Sequence, residues 1–446
     1  PVLSEYKENE GFVNEPNALI EKIFSLMTIV LCAFVALGII FASILVYIFA
    51  PGFTENDIKY EITVELLRLT FPYLAFISLT SLLGSVLNIY GKFAIPAFTP
   101  ALLNLSIIIS AIFLSPNLKN PIFALGFGVS IGGVLQLALQ YYAFRSLGLR
   151  ISFGLDFKHS GIKKVFKLMV PVIFGASVAQ INLLIDTVIA SFLVSGSVSW
   201  LYFADRIIEF PLGAFGAALS VAILPTLSKQ ANLSQLGLFK QTLAWALRWV
   251  WLIALPASVG IFLLASPILM TLFAYGEFGF EDVSRTSDAL VAYSMGLPAF
   301  ILIKVFASGY FSRQDTKTPV KIAVVALVVN VILNLALVGF LSHVGLALAT
   351  SISAWLNAGL LWWGLKKADL MMNKKYRFYY LKIIAATVIM AICLKLVEKF
   401  DLSWHRMEIL ERIGSLFFII FLAAFIYAAV LIVLGLRPRH FVSSNL

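Results

Sequence analysis

Between Trp200 and Pro211 the chain reads WLYFADRIIEFP, which sets three charged side chains, Asp205, Arg206 and Glu209, at the head of an apolar run continuing to about Leu224. At about 100° per residue the three fall within one third of a helix circumference and share a face. Turned to lipid, that face would cost about 2.5–3.5 kcal/mol per charge. Exposed in a polar cavity, the arginine fork suits a phosphate or pyrophosphate, because its planar guanidinium offers parallel N–H donors to paired oxygens. Snorkelling of Arg206 to outer headgroups, with Asp205 and Glu209 as partners, is the plainer alternative. Pro211 frees the carbonyl of Ile207, and the small residues Gly213, Gly216 and Ala217 follow. Loosely packed helices of this kind line cavities in transporters. Lys304, deep in another apolar run, fits an interfacial anchor or a cavity cation equally well.

A second constellation joins Asp186, Asn330, Asn334 and Thr350. Counted from the outer ends of their runs, all four lie at a similar depth, about 9–16 Å down. Asn330 and Asn334, at i and i+4, share a helix face. One carboxylate among amide and hydroxyl oxygens makes a candidate Na⁺ or H⁺ site, while interhelical hydrogen bonding is the alternative. Gln136, Gln140, Gln180, Asn182 and Asn104 fit glue or cavity lining better than chemistry.

The elements that must position these groups are membrane helices. Apolar residues make up 61% of the 446, charged residues 13%, and the mean hydropathy is +0.96, far from soluble domains, where about a quarter of residues are charged. Apolar runs long enough to span fall at roughly 24–50, 66–91, 98–115, 121–146, 165–194, 200–227, 240–274, 284–312, 319–341, 344–366, 378–397 and 411–435. The connections alternate in charge. One set holds Arg145, Lys163, Lys229, Lys240, Arg313, Lys317, Lys366, Lys374 and Arg437; the other holds Glu55 to Glu65, Ser195 to Ser199 and Glu277 to Asp282. The positive-inside rule makes the first set cytoplasmic, with both chain ends. The net charge of +10 then reflects topology and anionic lipid, with no nucleic-acid partner needed. Cys32 and Cys393 both lie in apolar runs and form no metal or redox spacing. Connections are too short to hide a soluble catalytic domain, and no phosphate-binding Gly-rich loop is present. Trp362 and Trp363, beside Lys366, mark an interfacial belt. Pro72, Pro171, Pro256 and Pro298 are expected kinks.

The chain repeats itself. Ala42 to Leu45 and Phe49 to Phe53 resemble Ala265 to Ile268 and Phe273 to Phe278, and Phe71-Pro72 resembles Leu297-Pro298, at an offset of about 224 residues. Two parallel halves follow. The stretch Pro225-Thr226-Leu227-Ser228 has a counterpart in Pro1-Val2-Leu3-Ser4 at the same offset. The repeat therefore predicts two further helices, about 60 residues, ahead of residue 1. The expected fold is an all-α polytopic membrane protein: a partial N-terminal lobe over 1–150, a six-helix C-terminal lobe over 165–367, and an extra helical pair over 376–436.

The motifs SWLYFADRIIEFPLG, ALSVAILPTLSKQ, PVLSEYK and GYFSRQDTKTPVKIA resemble those of the MurJ (MviN) lipid II flippases of the multidrug/oligosaccharidyl-lipid/polysaccharide exporter superfamily, and the likeness runs over essentially the whole chain. The resemblance implies a transporter with no catalytic residues. Its substrate would be lipid II, the undecaprenyl-pyrophosphate-linked peptidoglycan precursor, moved from inner to outer leaflet of the bacterial inner membrane by alternating access. It implies a cationic cavity lined by Arg206, Asp205, Glu209, Ser199 and Lys304, and work beside other cell-wall synthesis proteins. The resemblance also implies a Na⁺ site on the helices carrying Asp186, Asn330, Asn334 and Thr350, with Asn334 standing where the family pattern leads one to expect a carboxylate. The extra pair forms, in similar proteins, a groove thought to take the lipid tail. The alternatives are a drug/cation antiporter of the same superfamily, which would favour carboxylates and aromatics over a cationic cavity, and an enzyme acting on polyprenyl phosphates, which would need paired acids for Mg²⁺.

Overall fold

In the computed structural model, residues 15–149, 180–371, 377–398 and 406–436 are described, together with residues 151, 177 and 404. They are helical throughout, with no strand among them. The chain divides into two compact units, residues 1–177 and 178–446.

In the first unit, α1 (Glu15–Ile40) gives way at Phe41 to α2 (Ala42–Phe49). Asn56 then starts α3 (Asp57–Thr70) by accepting a hydrogen bond from the Lys59 amide at 3.1 Å, which satisfies one of the free N–H groups of a first turn. A turn at Phe71-Pro72 leads into α4 (Tyr73–Ile89). The run expected from residue 66 therefore covers the end of α3 and all of α4, across the turn at Phe71-Pro72. α5 (Ala94–Phe113) and α6 (Phe123–Arg145) pack closely. Gly128 and Gly132, a small-xxx-small pair, press against the Ile107 and Leu103 backbone of α5. The Ser106 hydroxyl donates to the Gly128 carbonyl at 2.8 Å. Buried Gln136 and Gln140 bond to Thr99 across the same interface, the glue role read from sequence.

The second unit runs α7 (Gln180–Ser191), α8 (Ser197–Pro211), a π-helical turn Leu212–Ala217, α9 (Ala218–Asn232), α10 (Leu236–Leu272), α11 (Phe280–Ser294), α12 (Leu297–Phe311), α13 (Lys317–Lys367), α14 (Arg377–Glu398) and α15 (Ile409–Val433). One contiguous apolar core, including Leu227, Phe239, Leu269, Leu297 and Leu346, joins α8 to α13. α14 and α15 pack against α10 through Ile383, Leu431 and Met390. Arg412 ties α15 down: it is 8% exposed and donates to the Met270 carbonyl at 3.2 Å, in the last turn of α10, where such groups lack helical partners.

Among the described residues nine helices are long and apolar enough to cross a membrane, or ten if α11 and α12, bent by 41°, form one span. Two of the expected runs, 319–341 and 344–366, are the two halves of α13, which breaks between them at Ser342 (φ 50°, ψ −131°). The run at 165–194 is described only from residue 180, apart from residue 177, and the expected kink at Pro171 and the opening motif lie outside the described residues. Pro256 leaves α10 helical; its break falls instead at Leu264 (φ −103°, ψ 15°). The cause is Pro267, whose ring clashes one turn back and whose missing N–H removes a bond there.

Candidate functional site

α8 is pinned at its start. Gly196 is left-handed (φ 106°), and a Cβ there would lie 2.6 Å from the Trp200 ring. The indole Nε1 of Trp200 donates to Asp282 Oδ1 of α11 at 2.7 Å, and its ring packs on His343 at 5.0 Å between centroids. Two turns on, the Arg206 guanidinium lies over the Tyr202 ring, 4.7 Å from its centroid, and pairs with Glu209. Arg206 and Glu209 are each about half exposed, at 52% and 51% of their side chains. The expected charged face therefore exists for two of its three members, and an exposed aromatic shares it. Asp205, half-buried, faces inward, within electrostatic reach of Asp186 and of buried Tyr293. Ser199 is exposed near the helix start.

Pro211 ends the regular α8 hydrogen-bond ladder. The Leu212 N–H reaches both Glu209 and Ile208 carbonyls, and six residues follow in π-helical turns. Such bulges are rare and concentrate at functional sites. Here the widening is accommodated by small residues, with Gly216 closing on Ile301 of α12. Lys304 is exposed on α12, and its carbonyl accepts from Ser220 at 3.3 Å and from Ser308 at 3.1 Å. From Arg206 to Ser220 the helix rises about 20 Å. Lys304 is thus a separate cation further along the same wall, and the structure does not bring it to Arg206.

The second constellation comes together in full. Asn334 Nδ2 donates to Asp186 Oδ1 at 2.6 Å and to Asn330 Oδ1 at 2.9 Å. Asn330 Nδ2 donates to Thr350 Oγ1 at 3.2 Å, and the Thr350 hydroxyl donates to Asp186 Oδ2 at 3.4 Å. Four residues from three stretches of chain close a ring, with Asp186 9%, Asn330 1% and Asn334 0% exposed. The Asn334 Oδ1 is buried without a hydrogen-bond partner, an arrangement that costs free energy unless something fills it. Asn182 and Ser353 complete the surround, donating to Asp186 Oδ2 at 3.4 Å and accepting from Asn330 at 3.5 Å. Asn182 stands four residues before Asp186, so its place beside the carboxylate was legible as helix spacing; Ser353, one turn after Thr350, was not singled out. Tyr293 was also missed, because an isolated tyrosine in an apolar helix gives no signal. Among the described residues no group of three or more His, Cys, Asp or Glu could hold a metal; the oxygens here come mostly from amides and a hydroxyl.

A groove of about 680 Å³ opens elsewhere in the unit. It is floored by Leu302 and Phe306 of α12 and walled by α10, the second half of α13 and α14.

A family model described as Lipid II flippase MurJ matches residues 1–414. A probable lipid II flippase MurJ from Haemophilus influenzae is 41% identical, with 100% of this chain and 90% of that protein covered. The lipid II flippase MurJ of Burkholderia cenocepacia is 37% identical over 99% of this chain and 86% of its own. Among solved structures, a lipid II flippase MurJ in an inward closed conformation is similar with a TM-score of 0.77 and 26% identity, covering 96% of this chain and 88% of that one. An inward-facing multidrug resistance MATE family transporter of the MOP superfamily gives a TM-score of 0.71 at 13% identity, over 83% and 86%, a likeness of fold alone.

Proposed function

We propose, because this chain belongs to the lipid II flippase MurJ family, that it moves lipid II from the inner to the outer leaflet of the bacterial inner membrane. As a member of that family it is a multi-pass membrane transporter and not an enzyme. The observation that carries the mechanistic reading is the half-exposed Arg206–Glu209 pair on a helix pinned at Trp200 and loosened just past Pro211. A diphosphate can take the Arg206 fork in exchange for the Glu209 carboxylate, a charge-assisted and bidentate contact. Because Glu209 already holds the fork, Arg206 is kept in one rotamer while the site is empty, so less side-chain entropy is lost on binding. The charged headgroup then never crosses bare hydrocarbon, where it would be prohibitively costly, and the polyprenyl tail stays in lipid. Asp205, Ser199 and Lys304 extend the polar path along the same unit. Alternating access carries the loaded site from one side to the other, and both ends of this chain lie in the cytoplasm.

The ring around Asp186 is a fit for Na⁺ as the coupling ion. Asn334 Nδ2 stands between Asp186 Oδ1 and Asn330 Oδ1, supplying there the positive pole that a cation supplies when bound. The unpartnered Asn334 Oδ1 is one more oxygen for it, and a single carboxylate suits a monovalent charge. Asp186, Asn330, Asn334 and Thr350 would hold the ion, whose charge would offset that of the Asp186 carboxylate.

The central test is Arg206→Ala and Arg206→Lys in cells that depend on this protein. Lipid II reaching the outer leaflet is scored by its cleavage with an enzyme that cannot enter the cell. Arg206→Ala should abolish export and Arg206→Lys should leave a small fraction, since an ammonium cannot make the bidentate contact. Normal export by Arg206→Ala would overturn the diphosphate role.

A further inference from the structure

The first unit buries a polar node that the proposed function does not use. On α6, Gln136 and Gln140 share a face at i and i+4, and both amides bond to α5. Gln140 Nε2 donates to Thr99 Oγ1 at 2.7 Å, and Gln136 Nε2 donates to the Thr99 carbonyl at 3.1 Å. These partners fix which way each amide points. The Thr99 hydroxyl already donates to the Ile95 carbonyl at 2.7 Å, so it can only accept from Gln140, and a carbonyl can only accept from Gln136. Both glutamine oxygens are left over, buried and without a hydrogen-bond partner. The Thr80 hydroxyl of α4 is a third such atom. Gln136, Gln140 and Thr80 are 1%, 2% and 3% exposed.

The packing sets Thr80 level with the glutamines. A Cβ on Gly133 of α6 would stand 3.0 Å from the Phe76 ring of α4, and two turns further along α4 a Cβ on Gly84 would stand 3.5 Å from the Gln140 amide. Between those contacts Thr80 is one turn from both Phe76 and Gly84, and Gln136 is one turn from Gln140. The second half of the repeat shows that the helix packing does not require this polarity. Counted from the left-handed turns at Gly91 and Gly148 and their counterparts Gln314 and Asp369, Thr80, Thr99 and Gln140 match Ile303, Ile322 and Leu361, while Gln136 keeps a polar match in Asn357. Ile303, Ile322 and Leu361 all pack in the apolar core of the second unit. The three unpartnered oxygens are therefore no demand of the architecture, and each costs free energy unless something answers it.

We propose that this node is a binding site for one ordered water, which donates to Gln136 Oε1 and Gln140 Oε1 and accepts from the Thr80 hydroxyl. Residues at i and i+4 keep their Cβ atoms about 5–6 Å apart, close to what two hydrogen bonds of about 2.8 Å span through a single water. Charge argues against a metal ion. The one charged side chain on α4, α5 and α6 is Arg145, itself a cation, and an ion held here by neutral oxygens alone would stay uncompensated in an apolar interior. A water asks for no countercharge. Buried waters typically make about three hydrogen bonds, and two acceptors and one donor are on offer. Once bound, the water links α4 to a helix pair already joined through Thr99, so a hydrogen-bonded bridge closes this bundle where the second unit uses aliphatic contact. The inference is independent of what the chain transports.

The test turns on the sign of one substitution. Thr80→Val keeps the side-chain shape and removes the hydroxyl. In the purified full chain in detergent it should lower the thermal midpoint by a few degrees, because the water loses its donor, and Thr80→Ser should recover most of that loss. In a dry node the same change would remove an unpartnered buried hydroxyl, so an unchanged or raised midpoint in Thr80→Val overturns the proposal. Cryo-electron microscopy at a resolution that shows waters should place a density peak within about 2.6–3.2 Å of all three oxygens, and that peak should be missing in Thr80→Val. A parent map without it would also overturn the proposal. Exchange of Na⁺ and K⁺ for choline separates water from a metal ion. A midpoint that falls on exchange in the parent and in Asp186→Asn, but not in Thr80→Val, would make the occupant a cation. Lipid export plays no part in the readout, so failure here leaves the Arg206 test standing.

Discussion

At the scale of single residues, the amides and the carboxylate around Asp186 make the sharpest case. Asn334 holds Asp186 Oδ1 at 2.6 Å in a buried site. Asn334→Ala would leave that oxygen without its closest donor, and the expected loss is about 1–3 kcal/mol, above the roughly 0.6 kcal/mol average for hydrogen bonds between membrane helices, because a carboxylate is stranded. Thermal unfolding in detergent measures it. The same assay separates ion site from glue: Na⁺ should raise the midpoint of the parent protein relative to choline, and Asp186→Asn should remove that increment. An increment unchanged in Asp186→Asn would leave the ring as a structural network only. Depth counting and i, i+4 spacing were enough to gather Asp186, Asn330, Asn334 and Thr350, because polar residues in lipid can be satisfied only by one another. The same logic failed for the charged face of α8. Asp205 and Arg206 are adjacent, a rotation of about 100° separates them, and the half-buried position of the aspartate beside Asp186 depends on neighbours far away in the chain.

At the scale of elements, what decides is how near two helices come and how each one starts. Gly128 lies on the α5 side of α6, where a Cβ would come within 2.7 Å of the Ile107 Cα. A backbone atom cannot rotate away, so Gly128→Ala should destabilise by about 1–3 kcal/mol, the usual cost of overpacking. Gly414→Ala, with nothing within 4 Å, should be neutral or slightly stabilising. Comparing the two midpoints by thermal melting tests the contact rather than glycine itself. Asp315 governs the start of α13. Its Oδ1 accepts from the Thr318 amide at 3.0 Å. Partial burial alone would raise its pKa, but the Thr318 and Lys317 hydrogen bonds outweigh it and hold the carboxyl below its ordinary 3.8. A depressed carboxylate stabilises the fold above 3.8 and loses that contribution as pH falls through its lower folded value. Asp315→Ala should therefore cost about 1 kcal/mol at neutral pH, with the gap to the parent protein closing as the medium is taken well below 3.8. Apolar runs made the helices legible, but their breaks less so: Pro256 bends nothing while Pro267 does, since a proline's effect depends on whether neighbours re-satisfy the carbonyl it frees.

At the scale of the whole molecule, the repeat read from short matches has a backbone counterpart. Phe41 (φ −94°, ψ 17°) and Leu264 (φ −103°, ψ 15°) kink just before the matched Ala42 and Ala265. The left-handed turns at Gly91 and Gly148 recur as Gln314 and Asp369, with φ of 60° and 54°. Glutamine and aspartate pay a conformational cost that glycine does not, so the second half keeps the turn at these positions without the residue that would announce it. A repeat of parallel halves also fixes what the charge pattern must do: corresponding loops must lie on the same side of the membrane. Gly91 beside Lys92 and Gln314 beside Arg313 are such a pair, both basic, and the positive-inside rule predicts that both face the cytoplasm. On the same rule Ser195, exposed just before α8, is predicted to lie outside, with Arg206 about 15 Å in from it. With Cys32 and Cys393 first replaced by serine, Ser195→Cys should react with a membrane-impermeant maleimide on intact cells, and Thr316→Cys only after permeabilisation. The reverse pattern would invert the chain and put Arg206 nearer the cytoplasmic face. A diphosphate headgroup would then meet that arginine early in the crossing instead of late, and the order of contacts would run from Arg206 to Lys304 rather than from Lys304 to Arg206.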